Sequence, residues 1–477
     1  MKDTLVLVLG DQLLKNHPLL EKEQNWAMIE SKDFNSEFKY NKQRILHCFV
    51  SMREYCNYLE SVGKDVEYIN IQKEISIKQG FEKWSKEYKK IKMLAIDDKG
   101  FMKYVLKLSK ECSIELEFLP SPKFVTKHQD WLNFKEQYPI KLLQNDFYVF
   151  NRKRLNILVT KDQKSIYGKW SLDADNKQKL PESVEIPTTV KNYTSFHLES
   201  VQKEIETYFK DHPGYADELY YPCNFEQAEM YWQKYLDNGL SNFGPYQDSI
   251  TNRDPFLFHS LTSPLLNTGL LDVNELLQDV INSNIIDNSK EGFIRQVIGW
   301  REWMNCLYWN VYQDDLKQYN NFKASNPLPG YFWNEELLEE ISDNTPLYNA
   351  LKKVFKYSYN HHIERLMIIA NWMTLNEYDP VECYNWFMTM YIDSYSWVMV
   401  GNVFGMGLYA DGGIFSTKPY ISGGNYLKKM SDYKDWANWE KQWTDKFWYF
   451  LLRNKDELKS NPRLNMLISS KLKNLDL

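Results

Sequence analysis

TLVLVLGDQ, residues 4–12, decides the fold class of this chain. Six apolar or β-branched residues without alternation read as a strand buried on both faces. The glycine, acid and amide that follow read as a loop turned toward a ligand. Further short apolar runs lie outward of it: RILHCFV at 44–50, VEYINI at 66–71, KMLAIDD at 92–98 and IELEFL at 114–119. Segments of helical periodicity such as REYCNYLESVGK and FEKWSKEYKKI separate them. Strands alternating with helices predict a doubly wound parallel α/β domain over residues 1–130. Its ligands would sit beyond the carboxyl ends of the strands, where Gly10, Asp11 and Gln12 lie.

Past 130 the character changes. Residues 131–200 read as a long connector crossing the surface, basic at Arg152, Lys153 and Arg154 and then rich in turns. That basic run suits a phosphate contact and a solvated loop equally well. From 201 to 477 strand patterns nearly vanish and amphipathic, tryptophan-rich segments predict an all-helical domain. A length of 477 residues fits such a division, and 43% hydrophobic with 26% charged residues is ordinary for a globular protein. The aromatic share, 16%, is high and fits either large packed interfaces or a flat ligand. A net charge of −6 argues against indiscriminate nucleic-acid binding but leaves room for a local basic patch. The 6 cysteines form no CxxC pair and read as free thiols in a reducing compartment. Without a signal-peptide core or an 18-residue apolar run, a cytoplasmic location is expected.

Four stretches carry candidate chemistry. In LFHSLTSP, His259, Ser260, Thr262 and Ser263 precede or open a helix, a pattern that serves capping or phosphate binding. In GFIRQVIGWREW, Arg301 accompanies Trp300 and Trp303 on a helix. In YNHHIERLM, His361 and His362 point about 100° apart on a helix, with Arg365 one turn on. An imidazole beside a fixed charge can exchange a proton near neutral pH, although a structural histidine pair is the commoner case. YIDSYSWVMVGNVFGMGLYADGG brings Asp393, which needs a buried cation such as Arg365, and glycines that permit close backbone approach.

Taken in order, LVLGDQL, YGKWSLDADN, FGPYQDS, LFHSLTSPLLNTGLL, EGFIRQVIGWREW, HHIERLM, YIDSYSWV, GMGLYADGG, STKPYISGGNYLKKMSDY and NPRLNML resemble the photolyase/cryptochrome superfamily along the whole chain. The resemblance is to its prokaryotic branch of (6-4) photolyases and iron–sulfur bacterial cryptochromes. It implies FAD in the helical domain. Ser260, Thr262 and Ser263, with His259, would lie at the pyrophosphate, and Tyr246, Arg301 and Asn402 would be flavin contacts. Arg365 and Asp393 would form a salt bridge beside the isoalloxazine. It implies light-driven electron transfer from FADH⁻ to a pyrimidine–pyrimidone (6-4) photoproduct in UV-damaged DNA. His362 as imidazolium would give the proton and His361 would be its partner. Trp386 would pass electrons to the flavin. Arg152, Lys153, Arg154, Trp300, Lys418, Lys428 and Lys429 would meet DNA. An antenna, 6,7-dimethyl-8-ribityllumazine, is implied near Gly10, Asp11, Gln12 and Glu30. A cryptochrome-type photoreceptor without repair is the alternative, and a monomer is expected.

The chain departs from that pattern in three places. The regions that would supply four cluster cysteines read DNTPLYNALKKVF, Lys434-Asp435-Trp436-Ala437 and EKQWTDKFWYF. None holds a cysteine, so no iron–sulfur cluster and no other metal is expected, with Trp436, Trp439 and Trp443 filling the space. Met399 stands where a polar residue usually faces flavin N5, and Phe387 follows Trp386 where tyrosine is common.

Overall fold

The computed structural model describes residues 2–35, 37–187, 192–433, 438–459 and 461–475. Five strands, β1 (Lys2–Val8), β2 (Asn25–Ile29), β3 (Asp65–Ile69), β4 (Tyr88–Leu94) and β5 (Glu115–Leu119), form one parallel sheet in the order β3-β2-β1-β4-β5. The order reverses between β1 and β4, so the crevice of this doubly wound sheet lies at the loops after those two strands.

Two of the sequence expectations change here. RILHCFV is not a strand: it opens the helix Lys42–Ser61, whose start is capped by the Asn41 side chain accepting from the Gln43 amide. The run is apolar because 13 residues of that helix are buried, and a buried helix and a buried strand look alike over seven residues. The strand it displaces, NWAMI, is short and begins with asparagine, so nothing in its pattern announced it.

Alternation along β1 divides the core. Leu5 and Leu7 pack with Phe81, Trp84 and Val105 of the local helices. Val6 and Val8 face a second core that runs on without a break into Leu265, Phe293 and Ile298 of the helical half. The sheet therefore buries one face against its own helices and the other against the rest of the protein.

The connector also differs from a surface crossing. Helices His128–Gln137 and Gln144–Arg154 send Trp131, Phe134 and Phe147 onto Trp303, with ring centroids 5.3–6.2 Å apart. The fully buried Glu291 accepts the Tyr148 hydroxyl at 2.9 Å and the Leu172 amide at 2.9 Å, which pins the rest of the connector down. Arg152 is wholly buried. It donates to the carbonyls of Ile157, Leu158 and Trp170, so it holds a loop together and is not available to DNA. Arg154 is likewise taken up, by Asn151, the Val125 carbonyl and Asp130. Lys153 sits over the Trp170 ring. The basic run is thus a fastening of the chain to itself.

Among the described residues three helical segments are π-wound: Arg295–Arg301, Glu364–Ala370 and Val400–Gly407. Each extra residue per turn shifts side chains around the axis, and such turns recur at functional sites. Gly405 shows what the third demands: a Cβ there would come within 2.4 Å of the Phe415 side chain. The glycines of this stretch let the chain approach itself.

At the far end Trp439 and Trp443 are fully buried. Trp443 donates to Asn344 at 2.9 Å and lies 4.9 Å from Trp372, which ties helix Trp439–Arg453 to helix Thr345–Tyr357. Trp436 and its neighbours 434–437 lie outside the described residues.

The shared core makes a testable claim about the connector. Replacing Trp303 with alanine should cost about 3–5 kcal/mol, the range for a fully buried large aromatic. It should lower the urea midpoint and expose residues 131–200 to limited proteolysis. Proteolysis confined to other segments would contradict the connector's place in the core.

Candidate functional site

A cavity of about 1020 Å³ opens into the helical half. Its walls come from separate parts of the chain: the turn before Thr262–Thr268, the three π-wound segments, the connector at Ser171 and Asp173, and the C-terminal helices at Trp448 and Arg463.

Arg365 and Asp393 form the ordered floor of this site. Nη1 and Nη2 of Arg365 donate to the two carboxylate oxygens of Asp393 at 2.8 and 3.1 Å, and Nε donates to the Asn360 carbonyl at 2.7 Å. The guanidinium also lies 4.2 Å from the Tyr391 ring and 4.8 Å from the Tyr359 ring. Burial, the largest influence, opposes its charge, but Asp393 with Tyr359 and Tyr391 together lift it above the ordinary arginine range. Ser263 donates to Asp393 at 2.7 Å, so its hydroxyl serves the carboxylate. Asp393 sits in the turn between helices Pro380–Met390 and Ser396–Met399, not within one helix.

The two histidines divide: His361 precedes the helical turn that His362 opens. His361 is fully buried and stacks on His259, centroids 4.6 Å apart and planes 5° from parallel. Neither ring nitrogen of His361 has a hydrogen-bond partner, and Glu364 is 3.7 Å from its Nε2. His362 faces the cavity beside the edge of Trp300, at 5.8 Å. Burial, and then the Arg365 charge, lower its imidazole to about 4. His362 is therefore neutral at pH 7 in the absence of a ligand, where the sequence reading had an imidazolium.

Several buried nitrogens of wall residues have no hydrogen-bond partner: Nε and Nη2 of Arg301, Nε1 of Trp300 and Nε2 of His259. A buried donor left unpaired costs about 1–3 kcal/mol, so this set marks where a polar ligand atom belongs. Ser260 and Thr262 hydroxyls lie 2.7 Å apart on the same wall. Leu261 between them is held at φ 48°, a left-handed conformation that a leucine adopts only when its surroundings impose it. Met399 and Asn402 also line the cavity, and exposed Lys418 and Lys429 stand at its rim. Lys428 is paired with Glu440 at 2.5 Å.

Other expected residues fall elsewhere. Tyr246 turns away and packs on the Phe258 ring at 5.7 Å. Its neighbours Gln247 and Asp248 line the cavity instead. Trp386 is buried one ring back, edge-on to Tyr391 at 5.6 Å, with its N–H on the Phe332 carbonyl. Glu30 cannot serve a ligand: Arg53 takes both its oxygens, and Tyr68 at 2.5 Å and the Ile71 amide at 2.8 Å complete them. The sequence reading missed one wall altogether, where Asp173 joins Arg295 at 2.9 Å and Lys177 at 3.0 Å. There burial, and then Asp173, raise Asp248 to about 6. The motifs YGKWSLDADN and FGPYQDS carried that wall, but no spacing rule assigns it.

Fold and cavity together define a class: a doubly wound domain fused to a helical domain whose cavity is lined by guanidinium, hydroxyl and aromatic groups. Residues 6–221 match the family model described as deoxyribodipyrimidine photo-lyase-related protein. A curated (6-4) photolyase of Agrobacterium fabrum is 28% identical, spanning 96% of this chain and 94% of that protein. Uncharacterized protein R855 of Acanthamoeba polyphaga mimivirus is 44% identical over 98 residues, 20% of this chain and 80% of its own. Among solved structures, a bacterial class III photolyase from Agrobacterium tumefaciens superposes with a TM-score of 0.57 at 14% identity. It covers 98% of this chain and 90% of its own. A Synechocystis cryptochrome gives 0.56 at 14% identity, over 95% and 89%. The chain is thus similar to photolyase-related proteins over residues 6–221, and to a (6-4) photolyase over nearly its whole length.

The buried histidines predict a pH dependence. His17, His47 and His362 are each lowered to about 4, in every case chiefly by burial. A depressed histidine binds its proton more weakly folded than unfolded. Its stabilisation is therefore complete above pH ~6.5 and disappears as pH falls toward 4. Thermal melts should lose stability between pH 6.5 and 4. A flat profile across that window would contradict the neutral histidines.

Proposed function

We propose that this protein is a light-dependent DNA-repair flavoprotein, a (6-4) photolyase acting on pyrimidine–pyrimidone photoproducts. It would be a cytoplasmic monomer holding FAD in the helical-domain cavity. The observation that carries the reading is His362 on the wall of the cavity that also holds the Arg365–Asp393 pair, with the unpartnered nitrogens of Arg301 and Trp300 belonging to the same wall. When bound, FAD supplies a light-absorbing one-electron donor.

The residues present fit that group. Arg301 offers two N–H groups to an anionic or carbonyl oxygen, Ser260 and Thr262 offer hydroxyls, and Asn402 an amide. The Met399 thioether keeps its part of the wall dry and gives neither a strong donor nor a strong acceptor. Lys418 and Lys429 at the rim suit the phosphates of a strand whose damaged base has swung into the pocket.

His362 supplies the proton, and its low starting value sets a condition. Reaching protonation at pH 7 from about 4 requires roughly 4 kcal/mol of added stabilisation of the charged form. One negative charge about 5 Å away contributes about 3 kcal/mol at an effective dielectric near 20. Substrate phosphate or a negatively charged lesion therefore provides most of the shift. In this reading the acid exists only when substrate is bound.

That condition also favours a second reading. If no anionic substrate reaches His362, the same cavity is that of a cryptochrome-type photoreceptor.

Flavin-loaded, reduced protein should be mixed with single- and double-stranded oligonucleotides bearing a (6-4) lesion and illuminated with blue light, the lesion being followed by chromatography. The lesion should disappear, and His362→Ala should slow its loss by 10²–10⁴-fold, the usual contribution of a placed acid. Repair that survives His362→Ala would remove the proton role. A light-driven absorbance change with no loss of lesion would favour the photoreceptor.

A further inference from the structure

The head of the sheet carries buried charges that the cavity does not use. Lys123 Nζ lies 2.9 Å from Asp11 Oδ2, after β1, and 2.6 Å from Asp97 Oδ2, after β4. It also donates to the Asp11 carbonyl at 2.7 Å and to the Asn267 carbonyl at 3.4 Å. One ammonium thus closes the crevice where the strand order reverses and reaches across to the helical half.

Lys123 begins a four-residue strap, KFVT, in which each residue is fixed to a different element. The Phe124 ring lies 4.2 Å beneath the Arg301 guanidinium and meets Trp397 edge-on at 4.9 Å. The Val125 carbonyl accepts from Arg154 at 3.0 Å. The Thr126 amide donates to the buried Glu302 at 2.7 Å. Arg301 Nη1 donates to the Lys123 carbonyl at 2.8 Å, and Nε and Nη2 have no partner. Arg301 is thus held by the Phe124 ring and, at Nη1, by the Lys123 carbonyl, both of the strap, beside the buried Glu302 at 3.4 Å and the Trp397 ring at 5.1 Å.

A Cβ on Gly10 would come within 2.9 Å of Cys48 Sγ and 3.0 Å of Met52 Sδ. Gln12 donates to the Leu94 and Ala95 carbonyls, and Glu30 is completed by Arg53, Tyr68 and the Ile71 amide. Of the groups that would receive an antenna, Glu30 is fully taken up and the Gln12 amide N–H groups are held by strand-end carbonyls, which leaves the Gln12 Oε1 as an unpartnered buried acceptor.

We infer that the head of the sheet serves in this chain as the mount of Arg301, with Lys123 and Phe124 as positioning residues, and that the protein takes no lumazine antenna. The inference rests on the reading of the cavity as a flavin site.

FAD affinity tests it. Phe124→Leu removes the ring under Arg301 without touching a charge. Asp11→Asn/Asp97→Asn/Lys123→Met neutralises the ion set together, a kind of exchange that leaves folding intact or improved. Each should weaken FAD binding at least tenfold, and neither should add to the loss caused by Arg301→Lys, since residues acting through one group are not additive. Wild-type affinity in either folded variant, or losses that add to Arg301→Lys, would overturn the mount. If wild-type protein binds no FAD, the flavin reading itself fails. The mount is then read from the Arg301 Nε–H resonance, which should move to the solvent-exposed position in Phe124→Leu and would overturn the mount by staying put. Titration with 6,7-dimethyl-8-ribityllumazine should give no saturable rise in fluorescence anisotropy. A saturable rise would overturn the second half of the inference.

Discussion

The bidentate pair between Arg365 and Asp393 is the constraint on which the rest of the site depends. Both groups are buried, and removing either would leave a bare charge at a cost of about 3–5 kcal/mol. Each also has a further partner. Arg365 reaches the Asn360 carbonyl, and Asp393 accepts from Ser263. Three distant motifs, YNHHIERLM, YIDSYSWV and HSLTSP, are thereby locked at one point. The lock fixes the turn that carries both histidines, so His362 can face the cavity only while the pair stands. The same guanidinium helps to keep His362 neutral. One interaction therefore sets both the place and the charge of the candidate acid.

A second constraint is the sharing of the sheet. Val6 and Val8 belong to a core that continues into the helical half, and Trp131, Phe134 and Phe147 of the connector close onto Trp303. The cavity walls come from parts of the chain far apart in sequence and hold their spacing only because these cores are continuous. The π-wound segments then do the fine placement, presenting Arg301, Arg365 and Asn402 from otherwise buried helices.

Much of this was legible in the sequence, and the failures share a cause. The alternation of strands and helices gave the parallel sheet, and the Arg365–Asp393 pair followed from the rule that a buried acid seeks a cation. RILHCFV failed because a buried helix shows no polar face over so short a run. Arg152 failed because an exposed phosphate ligand and a buried loop fastener look the same in one dimension. Tyr246 failed by one residue: the turn of helix Leu240–Tyr246 points Gln247, not the tyrosine, at the cavity. The charge state of His362 was out of reach, because it depends on burial and on a guanidinium whose distance no spacing fixes. The wall of Asp173, Lys177 and Asp248 was hidden for the same reason, being assembled from the connector and a helix end.

In the proposed reaction the cavity holds His362 neutral until an anionic lesion arrives. The direct measurement is an NMR titration of His362 in flavin-free protein and in flavin-loaded protein kept dark, the latter alone and with oligonucleotides that do or do not carry a (6-4) lesion. Titration near 4 is expected for the flavin-free protein, where burial and the Arg365 charge alone act on His362. A rise of about two units or more is expected only with the damaged strand. Equal behaviour with damaged and undamaged DNA, or an imidazole already protonated at pH 7 without DNA, would contradict that reaction.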